Sequence, residues 1–310
     1  MRANGMLEMD SYRLAAYTVP CPCYICGGGN NFDAELCRHC QAPMALAHQA
    51  NSQKVHPRLI AAIGPSGAGK TVYLGMLTDM LSRQEESLQL LARGAFSIKL
   101  QQHTMASLGR CEFPSKTPNE PDRWNWIHCQ VLRNNEKPAE LIVPDLAGEA
   151  LLEEVDHPHS YPVIRSFLSK SASVLVLIDA PRAESGESDE DFQTMKLISY
   201  LCELAGDRQT GWPARPVALV FTKADQCEHC FENPAAFARR HTPGLVQQCR
   251  ERLKRHQFFA VGVAGAIGMR NDREGRVYLP LRIEPRGIVD PFRWMLDQLD
   301  SKRGEQRVND

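Results

Sequence analysis

The sequence predicts an α/β fold, in which helices cover both faces of a mostly parallel sheet, behind a small cysteine-rich module. Three observations indicate this fold class. Continuous apolar runs recur from residue 58 onwards, helix-like segments lie between them, and the first 50 residues are rich in cysteine, glycine and proline. Continuous runs are typical of strands buried on both faces of a parallel sheet. Alternation of strands with helices is typical of α/β layers.

The strands and helices follow one another in order along the chain. The predicted strands are 58–64, 125–132, 139–145, 173–180, 216–225 and 258–265. The predicted helices are 70–83, about 159–170, 190–206, 243–257 and 290–300. The run 125–132 alternates apolar and polar residues better than the others, which fits an edge strand, antiparallel to its neighbour.

The remaining segments set the predicted domain boundaries. Residues 1–50 form an amino-terminal segment, 56–300 form the α/β domain, and 301–310 are expected to be a flexible tail. The polar, proline-rich stretch 109–124 predicts a long loop, and loops of this length in compact domains are usually functional or mobile.

The composition excludes several classes of protein. The chain has 310 residues, 43% hydrophobic and 24% charged residues, and a formal net charge of −1. This charge argues against a general binder of nucleic acids or anionic membranes, although a local basic patch stays open. The apolar runs are shorter than the roughly 20 residues of a membrane span, and the amino terminus lacks the apolar segment of a secretory signal. We therefore expect a cytoplasmic protein whose eleven cysteines are thiols or metal ligands.

The segment GPSGAGKT, residues 64–71, fits the Walker A pattern G-x-x-x-x-G-K-[ST] between a predicted strand and a predicted helix. Its glycines let successive N–H groups point at the β-phosphate, and the helix N-terminus adds partial positive charge. Lys70 is expected to reach the β- and γ-phosphates, and the Thr71 hydroxyl to ligate Mg²⁺. The motif predicts a P-loop NTPase sandwich of three layers. The predicted nucleotide-binding residues here are Gly64, Ser66, Gly67, Ala68, Gly69, Lys70 and Thr71.

Two later segments bear on the choice of nucleotide. Asp145 ends a predicted strand and is followed by Gly148, so the aspartate can hold the Mg²⁺ hydration shell while the Gly148 N–H meets the γ-phosphate. The segment Thr222–Asp225, TKAD, ends a later strand. A carboxylate at Asp225 can accept both N–H donors of the guanine edge while the stem of Lys223 covers the base. Adenine would leave the same carboxylate unpaired.

In this order and at strand ends, the three motifs resemble the signature set of Ras-like, translation-factor-class (TRAFAC) P-loop GTPases, over roughly residues 56–300. More narrowly, GKTVYLGML, VPDLAGE and EPRGIVDPFRWMLDQL are similar to the bacterial double-GTPase families linked to conflict and defence systems. The resemblance implies that GTP with Mg²⁺ is hydrolysed to GDP and phosphate as a conformational switch. It also implies a protein partner, an activator or effector, at the switch loops.

The departures from the family pattern concern the base and the attacking water. Thr222 stands where Asn is commonest, and the Ser-Ala-Lys loop has no match, so Val263 and Ala264 are left to supply backbone contacts. Glu149 stands where many relatives carry the Gln that orients water. We therefore expect slow hydrolysis, or a partner whose arginine accelerates it by roughly 10³–10⁵.

The family also requires a switch hydroxyl that reaches Mg²⁺ in the triphosphate state. Thr117, in the long loop, is the first candidate and Thr104 the second. The predicted catalytic residues are thus Lys70, Thr117, Gly148 and Glu149, and the predicted Mg²⁺ residues are Thr71, Thr117 and Asp145.

A Cys-x-x-Cys pair at Cys23 and Cys26 is followed, ten residues later, by a second pair at Cys37 and Cys40. This spacing predicts a structural Cys₄ zinc ribbon over about 20–43, with Cys21 as an alternative to Cys23. So short a segment needs the free energy of metal binding to fold. A ribbon is typically a docking surface, and the near-neutral charge favours a protein partner.

A third pair, Cys227 and Cys230, follows the TKAD segment. We interpret it first as coincidental or redox-active, and second as part of another zinc site with His229 or His241. Three functions remain open from the sequence: a GTP-hydrolysing switch with a docking ribbon, a GTP-binding scaffold without turnover, and a P-loop ATPase in which TKAD is accidental.

Overall fold

The computed structural model describes residues 20–83, 88–134, 137–186, 190–205, 214–272 and 275–307. Predictions for residues 1–19 and 308–310 lie outside the described residues. The described chain begins with the cysteine-rich module, which consists of strand β1 (Cys21–Pro22), strand β2 (Gly29–Asn30) and helix α1 (Ala45–Gln53).

A seven-stranded sheet forms the centre of the α/β domain. Its strands are β3 (Arg58–Ile63), β4 (Leu88–Ala92), β5 (Asn125–Arg133), β6 (Ala139–Asp145), β7 (Ser173–Asp179), β8 (Val217–Thr222) and β9 (His256–Ala260). Their order is β4-β5-β6-β3-β7-β8-β9. The pairs from β6 through β3, β7 and β8 to β9 are parallel, whereas β4–β5 and β5–β6 are antiparallel.

Helices cover both faces of this sheet. They are α2 (Lys70–Ser82), α3 (Ala95–Gly109), α4 (Gly148–Asp156), α5 (Pro162–Lys170), α6 (Ala180–Ser185), α7 (Glu190–Ala205), α8 (Glu228–Glu232), α9 (Pro234–His241), α10 (Pro243–Arg252) and α11 (Asp290–Arg307). Along β3, Leu59, Ala61 and Ile63 join the core on one face, and Ile60 and Ala62 join the core on the other. The predicted three-layer α/β sandwich is confirmed. Of the helices in the described ranges, none combines the length and apolar character that a bilayer crossing needs.

The prediction for residues 125–132 is half right. Strand β5 is antiparallel to its neighbours, but it is not an edge strand, because β4 pairs outside it, with Leu90 opposite Val131. The alternation that indicated an edge came from His128, which is fully buried and whose Nδ1 lies 2.7 Å from the Gln49 Oε1 of α1. In the sequence pattern, a buried histidine that pairs with Gln49 therefore looked the same as a polar residue facing solvent.

Several boundaries also differ from the predictions. The run 258–265 is divided between β9 and a separate antiparallel hairpin of β10 (Gly262–Asp272) and β11 (Gly275–Arg286). Strand β4, this hairpin and helices α1, α3, α4, α6, α8 and α9 were not predicted. The helix predicted for 243–257 ends at Arg252, and the last helix continues to Arg307, past the predicted start of the tail. The predicted long loop spans 110–124 and contains one short 3₁₀ turn at Pro121–Arg123.

The cysteine-rich module packs directly on the α/β domain. Ile25, Met44 and Leu46 belong to the same buried cluster as Leu59 of β3 and Phe167 of α5. The Tyr24 hydroxyl donates a 2.6 Å hydrogen bond to the Pro57 carbonyl at the start of the domain. The module therefore stabilises one layer of the sandwich as well as its own cysteine cluster.

Candidate nucleotide site

A cavity of about 460 Å³ opens at the carboxyl ends of the central parallel strands. The loop after β3, the loop 113–117, the start of α4 and the segments after β7 and β8 all contribute to its wall. Of the predicted nucleotide and catalytic residues, those lining it are Ser66, Gly67, Gly69, Lys70, Thr71, Thr117, Gly148, Glu149, Thr222, Lys223 and Asp225. Parallel strands in an open α/β sheet place ligands at this edge.

The phosphate loop has the conformation that its glycines allow. Gly67 and Gly69 have φ angles of 82° and 78°, in the left-handed region that residues with a Cβ rarely adopt. Gly69 ends the turn immediately before α2, whose first residue is Lys70. The N-terminus of α2 therefore points into the cavity with its unpaired N–H groups.

Lys70 is buried at the base of this loop. Its Nζ donates to the carbonyl oxygens of Gly64 and Pro65 at 2.8 and 2.9 Å. Burial lowers the pKa of Lys70 to about 8, against the opposing charges of Asp145 and Glu190. The ammonium group thus crosses under the loop and stays largely protonated at neutral pH.

Three oxygen atoms from distant parts of the sequence meet beside Lys70. The Thr71 and Thr117 hydroxyl oxygens lie 3.0 Å apart, and each lies 3.0 Å from Asp145 Oδ2. Mg²⁺–O bonds of about 2.1 Å would place neighbouring oxygens of an octahedron about 3.0 Å apart. Burial raises the pKa of Asp145, while the Lys70 charge and the hydrogen bonds from both threonines lower it. The three predicted Mg²⁺ residues therefore form one oxygen cluster that fits this ion.

The structure separates the two switch-hydroxyl candidates. Thr117 belongs to the oxygen cluster, and the loop that carries it is fixed by the Trp124 Nε1–H, which donates to the Pro118 carbonyl at 2.8 Å. Thr104 is buried in α3, where it packs closely against Gly75 of α2. Its position behind α2 leaves it outside the cavity wall.

Gly148 and Glu149 approach the phosphate loop from the other side. A Cβ at Gly148 would lie 2.5 Å from the Ser66 nitrogen, so only glycine allows this approach. The Glu149 carboxylate accepts hydrogen bonds from the Ser66 hydroxyl at 3.2 Å and from Lys116 and Asn119 at 3.4 Å. These contacts, Lys116 first, lower the pKa of Glu149. An ionised carboxylate thus joins the phosphate loop to the loop that carries Thr117.

The segment after β8 lies at the far end of the cavity. The buried Thr222 hydroxyl lies 2.9 Å from the Ala68 carbonyl and 3.1 Å from the Ile178 carbonyl, so it connects this segment to the phosphate loop. Asp225 Oδ1 accepts from the Val263 N–H at 3.2 Å. Burial raises the pKa of Asp225, against backbone hydrogen bonds from Asp225 itself, Val263 and Ala264 and the charge of Lys223. The Val263 N–H therefore holds the Asp225 carboxylate, and backbone contacts from Val263 and Ala264 to the base stay a prediction.

A family profile described as Double-GTPase 2 matches residues 58–266, which is most of the α/β domain. The chain belongs to the Double-GTPase 2 family. This membership places it among the TRAFAC P-loop GTPases and supports GTP binding. The match begins at β3, so it does not include the cysteine-rich module.

Comparison with curated proteins gives no match for this Double-GTPase 2 chain. Among solved structures it is similar to the nucleolar GTP-binding protein 1 of Plasmodium falciparum, with 12% identity, a TM-score of 0.40, and coverage of 81% of this chain and 91% of that one. It is also similar to the Arl6 small GTPase of Trypanosoma brucei, with 10% identity, a TM-score of 0.40, and coverage of 79% and 98%. It is similar as well to the GTPase-like domain of Ski7 from S. cerevisiae, with 15% identity, a TM-score of 0.41, and coverage of 66% of this chain and 43% of that one.

Two buried carboxylates at the Lys223 end of the cavity, Asp179 in its wall and Glu190 next to Asp179, were not predicted. Asp179, which ends β7, caps α6 by accepting from the Arg182 N–H at 3.1 Å, and it pairs with Lys223 Nζ at 2.5 Å. Glu190 Oε1 accepts from the Asp179 N–H at 3.1 Å. Asp179 stands at a strand end, where the rule that found Asp145 and Asp225 would also have found it. Glu190 begins a helix, and no pattern marks it.

The four predicted zinc ligands of the amino-terminal module come together. The ligand atoms of Cys23, Cys26, Cys37 and Cys40 all lie within 4.8 Å of one another. The Cys23–Cys40 and Cys26–Cys37 sulfur distances are 3.7 and 3.6 Å. Zn–S bonds of about 2.3 Å would place the sulfurs of a tetrahedron about 3.8 Å apart. The backbone N–H groups of Gly28 and His39 point at two of the sulfurs, at 3.3 and 3.4 Å. The cluster therefore fits Zn²⁺, whereas Cys21 lies outside it.

The third cysteine pair is buried beside the nucleotide site. Burial is the main cause that raises the pKa of both Cys227 and Cys230 to about 12. Reactive redox cysteines are exposed and have lowered pKa values. The surroundings of this pair therefore disfavour the redox-active interpretation.

Proposed function

We propose that this protein binds GTP with Mg²⁺ and hydrolyses it to GDP and phosphate as a conformational switch, and that the ribbon docks a protein partner. The oxygen cluster of Thr71, Thr117 and Asp145 carries the proposal. A loop hydroxyl that meets the phosphate-loop hydroxyl and a buried carboxylate would couple the position of residues 113–117 to the bound nucleotide.

The two ends of the cavity would bind different parts of the nucleotide. At the phosphate end, Lys70 would bind the β- and γ-phosphates, and the Gly148 N–H would bind the γ-phosphate. Bound Mg²⁺ would neutralise phosphate charge, held by the oxygen cluster. At the base end, Asp225 would accept the two N–H donors of guanine. Catalysis here would be positional and electrostatic, without a covalent intermediate.

Glu149 decides between a switch and a scaffold. Its carboxylate can accept a hydrogen bond from the attacking water, but its negative charge faces the phosphate end of the cavity. The three donors that hold it, Ser66, Lys116 and Asn119, reduce its freedom to follow a water. We therefore propose slow intrinsic hydrolysis, with a GTP-binding scaffold as the second candidate function.

Arg182 offers a positive group from within the chain. It lines the cavity, and its guanidinium donates to the Ser66 carbonyl at 3.4 Å and lies 3.7 Å from Glu190 Oε2. An arginine near the γ-phosphate stabilises the charge that develops in phosphoryl transfer. Truncation of Arg182 should therefore reduce hydrolysis more than it reduces GTP binding.

The ribbon supports the proposed partner through its exposed apolar side chains. Phe32 and Leu36 are 54% and 40% exposed on the module. Exposed apolar groups on a small folded module are typical of interaction sites. A role in a bacterial conflict system, which the resemblance implies, is part of this proposal.

Single-turnover phosphate release from GTP tests the proposal, with Mg²⁺ and with the ion chelated. We expect Mg²⁺-dependent release by the wild type, loss of release in Thr117→Ala, and retention in Thr117→Ser, which keeps the hydroxyl. GTP binding without release in the wild type, with release gained in Glu149→Gln, would support the scaffold. Release that persists in Thr117→Ala would contradict the switch role of the oxygen cluster.

A further inference from the structure

A second group of metal-ligating side chains lies beside the guanine end of the nucleotide site. Glu184 of α6, His229 of α8 and His241 of α9 each present one ligand atom, and these atoms all lie within 4.8 Å of one another. His229 Nε2 lies 3.2 Å from Glu184 Oε1. Three separate helices thus bring one carboxylate and two imidazoles close enough together to share one ion.

His241 is the least explained member of the group. Its Nε2 is shielded from solvent and has no hydrogen-bond partner among the residues that the structure describes. The ring packs against Phe237, with ring centroids 4.5 Å apart, which fixes its direction. A buried ring nitrogen without a hydrogen-bond partner is costly, and a metal ion would satisfy it.

The donors match the chemistry and spacing of a zinc site. Imidazole nitrogen and carboxylate oxygen bind Zn²⁺ at about 2.0–2.2 Å, which places tetrahedral ligands about 3.4 Å apart. The Cys227 thiol donates to the other carboxylate oxygen, Glu184 Oε2, at 3.1 Å. This contact leaves Oε1 next to His229 Nε2, and ligating carboxylates in metal sites are commonly held by such hydrogen bonds.

We infer that Glu184, His229 and His241 bind a divalent transition-metal ion, Zn²⁺ by ligand type, at a site distinct from the ribbon. The three protein ligands leave a fourth position to water. The Glu184 and His229 side chains are 38% and 47% exposed, so the ion reaches the site without opening the core.

The position of this site gives it a consequence for the nucleotide. Cys227 directly follows the turn Ala224–Gln226, which contains Asp225. Asp179 caps the N-terminus of helix α6, which carries Glu184, and the Asp179 carboxylate pairs with Lys223. The ion would join α6 to α8 and α9 and hold the guanine-binding segment between them. Metal binding should therefore slow the release of GDP.

Zinc content per chain, measured on the full-length protein after equilibrium dialysis against Zn²⁺ and without nucleotide, tests the site. We expect two zinc ions in the wild type and one in His229→Gln and in His241→Gln, with the ribbon ion retained as a sign of correct folding. The control His157→Gln, which changes an exposed histidine at the end of α4 that belongs to neither metal site, should bind two. One ion in the wild type, or two in both variants, would overturn the inference.

A second experiment tests the coupling to the nucleotide. Added Zn²⁺ should slow the release of a fluorescent GDP analogue from the wild type and leave His241→Gln unchanged. An equal effect in both proteins, or none in either, would show that the site does not act on the guanine segment. Because zinc content is measured without nucleotide, failure of the metal site and failure of the GTPase proposal are distinguishable.

Discussion

Thr222 provides the most direct test of how the base end and the phosphate loop are joined. The usual residue here is Asn, yet the Thr222 hydroxyl lies within hydrogen-bond distance of the carbonyls of Ala68 and Ile178. A hydroxyl has one proton, so it donates to one of the two carbonyls at a time. Thr222→Val keeps the shape of the side chain and removes this donor.

The expected effect follows from the carbonyl that loses its donor. A buried acceptor left without a partner costs about 1–3 kcal/mol. In the nucleotide-free protein, the loop can move and let water reach the Ala68 carbonyl. Bound GTP would hold the loop in place, so most of the cost should appear in the complex. We expect GTP affinity to fall by about 1–2 kcal/mol, a factor of roughly 5–30.

Titration with a fluorescent GTP analogue measures this loss, with urea unfolding of the nucleotide-free protein as the companion measurement. Thr222→Ser is the matched control, because it keeps the hydroxyl and should bind close to wild type. If Thr222→Val bound GTP as tightly as the wild type and Thr222→Ser, the hydroxyl would not be what joins the two segments.

Three further predictions concern other parts of the fold. The pKa of Lys70 falls from its ordinary 10.5 to about 8 on folding. Burial of the charged Lys70 therefore lowers the free energy of unfolding below pH 8, and this loss shrinks as the pH rises from 8 to 10.5. GTP affinity should fall over the same range as the ammonium loses its proton; affinity that stays constant to pH 10.5 would contradict this. Thr104→Val removes a buried hydroxyl without a partner among the described residues, so the free energy of unfolding in urea should hold or rise, and a clear loss would show a missed hydrogen bond. Zinc chelation or Cys26→Ser should lower the Tm, by about 2–4 °C for each kcal/mol lost, because the module shares its core with β3, whereas the exposed Cys111→Ser should not.

The residues of the candidate site were predictable where they lie next to the end of a strand or at the start of a helix. Asp145 ends a strand, Asp225 lies in the turn directly after one, and Lys70 and Thr71 begin a helix, so sequence position determined their place at the cavity. The ribbon cysteines were predictable because their spacing leaves few other arrangements. Each of these residues is positioned mainly by its own element.

The features that could not be predicted depend mostly on contacts between segments that are distant in the sequence. The partners of Glu149 come from two loops, the phosphate loop and the 110–124 loop. The sequence of a loop does not show which of its side chains will meet those of another loop. The proposed metal site of Glu184, His229 and His241 requires three helices to converge, and none of these, α6, α8 and α9, was predicted. Strand β4 was missed because five residues, Leu88–Ala92, give too short a pattern to distinguish a strand from a helix.

The selectivity between GTP and ATP tests the central claim most directly. Competition binding with Mg²⁺ would compare the wild type, Asp225→Ala and the control Asp122→Ala, which removes an exposed carboxylate from the 110–124 loop. We predict that the wild type and Asp122→Ala prefer GTP strongly, and that Asp225→Ala loses this preference because guanine loses its acceptor. Equal binding of ATP by the wild type, or a preference for GTP that survives in Asp225→Ala, would contradict the assignment of this cavity as a guanine-nucleotide site.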